Sequence, residues 1–347
     1  MRAAAIGLAL GLATAAPAAT PSASSGPLHV PVLRENFPDP FVLPVGKYLL
    51  AYATNVDGIN MPVAVSTDLV TWRPVKGENG KPHDAFPKLP AWAKPGFTWA
   101  PEVMEVGGRY LLYFTASNRK LDTQCIGVAE SADPLGPFVS TAPEPLVCQS
   151  AIGGTIDAHP FRDRDGQLYL YYKNDGNNPR VLKPSQVWVS RMTADGRSLT
   201  GQAVPLLTND KHWEWRVVEA PAMVRHANGY TLFFSANHFG WEADQRLSNY
   251  GTGYATCAGP MGPCTDAPEN PWLQSYNARP AGCLSGPGHP AVFEFGGRRF
   301  MAFHAWAANS GCRKVKDERY MYVAPLSFSG RQPVLGPSLR PATPTKR

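Results

Sequence analysis

Beyond its first sixteen residues the 347-residue chain has no long apolar run, and nothing approaches the roughly 20 apolar residues that cross a bilayer as a helix. Charge is sparse as well. Asp, Glu, Lys and Arg make up 17% of the chain, and the formal net charge of +6 is carried by basic residues scattered along it. Without a basic stripe or a recognisable nucleic-acid motif, nucleic acid is excluded as a partner. No cysteine pair is spaced CxxC and no cysteine is flanked by histidines, which removes the common zinc patterns. Helical periodicity is missing too.

In place of these features there are 35 prolines and 32 glycines. Punctuation at that density implies many short strands and turns, hence an all-β protein. Residues 1–26 read as a secretory signal and short linker: Arg2, an apolar stretch from Ala3 to about Ala16, then small residues suited to cleavage. The mature chain is therefore expected to be secreted, with no membrane anchor. In an exported protein the six cysteines favour disulfides, and CAGPMGPC makes Cys257 to Cys264 the first pairing expected. The other pairings are left open. A Pro-rich tail follows at 338–347.

One plan recurs five times between these ends. The segments FPDPFVLPVGKYLLAYATN, WAPEVMEVGGRYLLYFTASN, DAHPFRDRDGQLYLYYKND, EAPAMVRHANGYTLFFSAN and GHPAVFEFGGRRFMAFHAW each run from a proline through an apolar strand and a glycine turn to a second strand. Their prolines, Pro40, Pro101, Pro160, Pro221 and Pro290, lie 61, 59, 61 and 69 residues apart. Proline is tolerated where a strand begins, and glycine supplies the positive φ of a tight hairpin. Weaker strand pairs fill the intervals, for example at 63–75 and 186–199. Four strands per interval, five times, predicts a five-bladed β-propeller with antiparallel blades around a central channel, a single domain over 27–337. A solenoid or two packed β-sandwiches are the competing architectures, and a sandwich would not repeat the same strand entry at near-even spacing.

In a propeller the innermost strands line the channel, so equivalent positions form a ring. Asp39, Trp99, Asp157, Glu219 and His289 stand just before the shared prolines, which brings three carboxylates, an indole and an imidazole to one mouth. Carboxylates crowded in this way acquire different protonation states, as acid/base cleavage of a glycosidic bond requires. Read singly, each residue has a plainer role: Asp39 as a turn former, Asp157 as a loop cap, Glu219 as a buried carboxylate paired with Arg216, His289 as a packing histidine. Trp72, Trp92 and Trp188 are expected between blades. Trp213, Trp215 and Trp241 are expected in loops beside Glu219.

The ordered strings FPDPFV, TWAPEV, IDAHPF, VVEAPAM and GPGHPAV resemble family 43 of the glycoside hydrolases over roughly residues 30–328. The resemblance implies an inverting glycosidase with Asp39 as general base, Glu219 as general acid and Asp157 as the carboxylate that orients the acid and tunes its pKa. It also implies substrate contacts from Trp99, Phe41, His289 and Arg319. His289 would face water or a calcium ion in the channel, no cofactor being otherwise required. The substrate would be a plant cell-wall polysaccharide or oligosaccharide, with an exo-acting α-L-arabinofuranosidase first and a β-xylosidase, endo-arabinanase or galactan-acting enzyme as alternatives. A monomer is expected. Two readings from other classes compete: a non-catalytic carbohydrate-binding propeller, and a related fructan-cleaving propeller in which Asp39 would be a nucleophile.

Overall fold

The computed structural model describes residues 29–241, 247–278 and 282–339; the expected signal segment and residues 340–347 lie outside them. The described chain is a five-bladed β-propeller. Blade 1 holds β1 (Phe41–Val45), β2 (Tyr48–Tyr52), β3 (Val63–Ser66) and β4 (Arg73–Pro74). Blade 2 holds β5 (Trp99–Val106), β6 (Arg109–Ser117) and β7 (Gln124–Ser131). Blade 3 holds β8 (Thr155–Arg162), β9 (Leu168–Asn174), β10 (Gln186–Met192) and β11 (Leu199–Thr208). Blade 4 holds β12 (Val218–His226), β13 (Gly229–Ala236), β14 (Gly251–Cys257) and β15 (Cys264–Asp266). A small hairpin, β16 (Tyr276–Asn277) with β17 (Cys283–Leu284), leads into blade 5: β18 (Gly288–Phe295), β19 (Arg298–Ala308), β20 (Lys314–Ser329) and β21 (Gln332–Leu335).

Every neighbouring pair within a blade is antiparallel. Blade 2 departs from the expected four strands. Its outer edge is reduced to a bridge between Glu130 and Val139, because DPLGPFVSTAPEP is too rich in proline to sustain a ladder. A disulfide from Cys125 to Cys148 ties this segment back to β7. The second disulfide is the expected one, Cys257 to Cys264. Cys312 is buried without a bridge.

Period-two alternation in the second strand of each blade sends side chains to opposite faces, so each blade feeds two interfaces. Leu50 and Tyr52 of β2 pack toward blade 2, while Leu49, Ala51 and Ala53 pack toward blade 5. In β13, Leu232 and Phe234 meet blade 3 and Phe233 meets blade 5. The fifth interface joins Leu111 and Tyr113 of blade 2 to Leu170 and Tyr172 of blade 3. The core is thus five apolar wedges. Trp72 and Trp92 are buried in two of them and Trp188 packs against a third.

The ring is closed by the beginning of the described chain. Val32 and Leu33 donate their N–H groups to Met321 O and Phe37 to Arg319 O, which places residues 32–37 beside β20 of the last blade. Leu339, after the last strand, donates its N–H to Val323 O and packs in the same wedge.

Candidate active site

At the entry of each innermost strand one non-glycine residue holds left-handed backbone: Asp39 (φ 54°), Ala100 (φ 45°), Asp157 (φ 58°), Ala220 (φ 49°) and His289 (φ 54°). In β5, β8, β12 and β18 these residues fall where the pairing register slips. Asp39, Asp157 and His289 are therefore structurally equivalent, and Trp99 and Glu219 lie one residue earlier. The proline register of the third segment needs correcting: Ala158, not Pro160, stands where Pro40, Pro101, Pro221 and Pro290 stand.

Left-handed backbone costs an L-residue about 1–2 kcal/mol, and here each such N–H is bound from a neighbouring blade. Asp39 N–H donates to His304 Nδ1 at 3.0 Å, Ala100 to Thr54 Oγ1 at 2.9 Å, Asp157 to Thr115 Oγ1 at 3.2 Å and His289 to Ser235 Oγ at 2.8 Å. The fifth, Ala220, donates to Asp157 Oδ2 at 2.9 Å. The acceptors Thr54, Thr115, Ser235 and His304 share one site at the end of the second strand, where blade 3 has Lys173. Lys173 cannot accept, and Asp157 accepts in its place.

Lys173 instead answers how Glu219 is accommodated. The lysine is fully buried, and its Nζ lies 3.0 Å from Glu219 Oε2 and 3.5 Å from Asp175. Tyr250 donates its hydroxyl to Glu219 Oε1 at 2.7 Å. Burial works against the ammonium, but the surrounding Glu219, Asp175 and Asp157 carboxylates outweigh it and hold the Lys173 pKa above its ordinary value. The sequence offered Arg216 as the partner of Glu219; Arg216 instead lies over the Trp215 ring.

Asp39 is ringed by positive charge and donors. Arg319 donates from a guanidinium nitrogen to Oδ1 at 2.9 Å, Thr54 donates its hydroxyl to Oδ2 at 2.5 Å, and His289 Nδ1 lies 3.4 Å from Oδ1. Burial alone would raise this carboxyl. Arg319, with His289 beside it, overcomes that and holds it well below the usual carboxylate range. His304 is itself lowered to about 4, first by burial and then by Arg319, so its ring is neutral and free to accept the Asp39 amide.

Asp157 behaves in the opposite sense. Burial raises its carboxyl to about 7; the Glu219 charge adds to the rise and His289 opposes it. Two carboxylates at one mouth are therefore pushed apart, Asp39 ionised and Asp157 holding its proton to near neutrality. Asp39 and Glu219 keep 13% and 15% of their side-chain surface open, enough for water and substrate to reach them.

The remaining expected residues lie around this centre. Arg319 has its guanidinium 5.9 Å from both the Phe239 and Trp306 rings. Trp99 is half-buried, tilted against Phe97 at 6.2 Å. Phe41 is half-buried and packs into the wedge between blades 1 and 2. Of the loop tryptophans, Trp213 packs against Phe234, Trp241 meets Trp306 edge-on, and Trp215 is exposed. Trp215 lines a cavity of about 610 Å³ with His212, Asn237 and His238, beside the strand ends that carry Glu219 and Ser235.

His289, expected to face a channel ion, touches Asp39, which is already ion-paired with Arg319. A calcium ion takes six to eight oxygens. Beside His289 the Asp39 carboxylate offers oxygens, and water would supply the rest of such a shell.

Lys173, Tyr250, His304 and Thr54 were missed by sequence reasoning, although a signal existed. In the five repeats the second strand carries a polar residue at one fixed place, reading Thr54, Thr115, Lys173, Ser235 and His304 within otherwise apolar runs.

Comparison with known proteins places the chain in a family. The profile of Glycosyl hydrolases family 43 matches residues 28–331. A putative beta-xylosidase of Xylanibacter ruminicola is 25% identical over 67% of the chain, which spans only 43% of that relative's length. An extracellular exo-alpha-(1->5)-L-arabinofuranosidase of Cellvibrio japonicus is 22% identical over 80% of the chain and 81% of its own. The crystal structure of a thermostable family-43 glycoside hydrolase superposes with a TM-score of 0.75 at 27% identity, covering 90% of this chain and 96% of the other. With the match running through all five blades, the chain belongs to family 43 of the glycosyl hydrolases.

Proposed function

We propose that the protein is an inverting glycosidase that removes terminal pentosyl units from plant cell-wall polysaccharide, an α-L-arabinofuranosidase before a β-xylosidase. Asp39 takes a proton from water as the water oxygen attacks the anomeric carbon. Glu219 gives its proton to the departing glycosidic oxygen, and the C–O bond breaks with inversion. The observation carrying this reading is the placement of the three carboxylates: Asp39 paired with Arg319, Glu219 held by Lys173 and Tyr250, and Asp157 bound to the amide directly after Glu219.

Asp157 positions the acid, because its Oδ2 binds the N–H of Ala220 directly after Glu219. The contacts of Lys173 and Tyr250 with Glu219 favour the carboxylate that forms as the proton departs, so they strengthen toward the transition state. Exposed faces of Phe97, Phe239 and Trp215 offer surfaces for stacking sugar rings. The arabinofuranosidase reading is supported by the relative that matches most of its own length, the xylosidase reading by the shorter match. Secretion is supported by the two disulfides and by the extracellular naming of that same longer-matching relative. Among the described residues no helix is long and apolar enough to cross a membrane.

The test is turnover of nitrophenyl α-L-arabinofuranoside against nitrophenyl β-D-xyloside, with the anomer of the released sugar followed by NMR. Faster release of arabinose as the inverted anomer is expected. Release of the retained anomer would overturn the mechanism, and a preference for the xyloside would exchange the two substrates.

A further inference from the structure

Away from the channel, the loop between β11 and β12 and the end of β15 bring three carboxylates together. Asp210, Glu214 and Asp266 each present an oxygen within 4.8 Å of the others'. Glu214 lies in a 3-10 turn, His212–Glu214, and is completely buried. Its Oε2 accepts the Lys211 N–H at 2.8 Å, but its Oε1 is buried with no hydrogen-bond partner, and so is Asp266 Oδ1. An unpartnered buried carboxylate oxygen is costly, and two within one carboxylate cluster point to something that binds there. We propose that Asp210, Glu214 and Asp266 form a binding site for a divalent cation of the calcium class.

The donor set is entirely oxygen, as a hard cation prefers, and calcium held at 2.3–2.6 Å allows ligand oxygens up to about 5 Å apart. A cavity of about 380 Å³ lined by Thr208, Asp210, Thr265 and Asp266 leaves room for the waters that would complete the shell. Lys211 is the resident counter-charge, its Nζ 2.7 Å from Asp210 Oδ1, but its side chain is half exposed and can leave for solvent.

The turn connects to the channel mouth. Glu214 O accepts the N–H groups of Val217 and Asn237, and Asn237 Nδ2 donates to Trp213 O at 2.6 Å. Binding would fasten the loop that presents Trp215 and leads directly into Glu219.

The full chain, freed of metal with chelator, is titrated with calcium chloride and with terbium. Terbium luminescence sensitised by Trp213 or Trp215, and a rise of at least about 3 °C in unfolding midpoint at saturating calcium, are expected. Both signals should vanish in Glu214→Gln/Asp266→Asn and persist in His289→Ala, which separates this site from the channel. Should the double variant not fold, Asp210→Asn, on the exposed side, should weaken calcium binding about tenfold. No calcium response in the wild-type chain, or an unaltered response in these carboxylate variants, would overturn the proposal.

Discussion

Lys173 of blade 3 and Glu219 of blade 4 meet across the blade interface, with the ammonium fully buried and 3.0 Å from the carboxylate. The pair occupies the one place in the ring where a hydroxyl or imidazole acceptor is replaced by a cation. That exchange costs the Ala220 N–H its usual partner, and Asp157 supplies one. A substitution made for electrostatics at one carboxyl therefore assigns a second carboxyl its position.

Removing one partner of a buried ion pair costs about 3–5 kcal/mol. Lys173→Met should lower the unfolding free energy by about that amount in denaturant titration, and should lower kcat more than it raises KM. Unchanged stability would mean that the lysine is not held in the buried pair.

Asp39→Asn and Glu219→Gln should each reduce kcat by about 10²–10⁴-fold, the range for losing a general base or acid, with the fold preserved. The two variants should differ by substrate. A nitrophenyl group leaves without a proton, so Glu219→Gln should retain far more activity on the nitrophenyl glycoside than on polysaccharide. Asp39→Asn should be equally impaired on both. Equal losses for Glu219→Gln would remove it as the proton donor.

Asp157 holds its proton to about pH 7 when folded, against an ordinary value of 3.8, so its contribution to stability is full below about pH 4 and is lost as pH rises through 7. Asp39, held below its ordinary value, contributes with the opposite sign: its share is present above about pH 4 and lost as the solution becomes more acid. Between pH 4.5 and 7.5 the unfolding midpoint of Asp157→Asn should therefore fall less steeply than that of the wild type. Glu214 and Asp266 titrate with the same sign as Asp157, so the difference between the two chains is the quantity to measure. Parallel curves would show that Asp157 ionises normally.

A Cβ added at Gly288 would lie 2.0 Å from the Tyr250 ring, whose hydroxyl serves Glu219. Gly288→Ala should lower both the unfolding midpoint and kcat. Tyr250→Phe keeps the packing and removes a hydrogen bond to a charged group, worth about 1.5–3 kcal/mol, and should lower kcat roughly tenfold or more with little change in KM. A fully active Tyr250→Phe would leave the glycine a packing role alone.

The strand-entry repeat was legible because it is local: proline, apolar strand and glycine turn lie within twenty residues, and their spacing counts the blades. The carboxylates were legible for the same reason. Lys173, Tyr250 and His304 were not, because each reaches the mouth from a second or third strand whose pattern looks like ordinary core. The register of the third repeat misled because its bulge carries Ala158 in place of proline, while Pro160 two residues later imitates the signal. The edge of blade 2 fell short of four strands because proline there removes ladder donors. The Asp210, Glu214 and Asp266 group spans two separate loops with no motif of its own, and only packing brings it together.

At the mouth, no blade finishes its own contribution: each strained amide is tethered by the blade before it, and the first is tethered by the last. An isolated fragment of the chain would therefore lack a competent centre. Loosening the seam between residues 32–37 and β20 should thus slacken Asp39 first and extinguish turnover before the sheets melt, which makes the seam a point at which activity can be uncoupled from secondary structure.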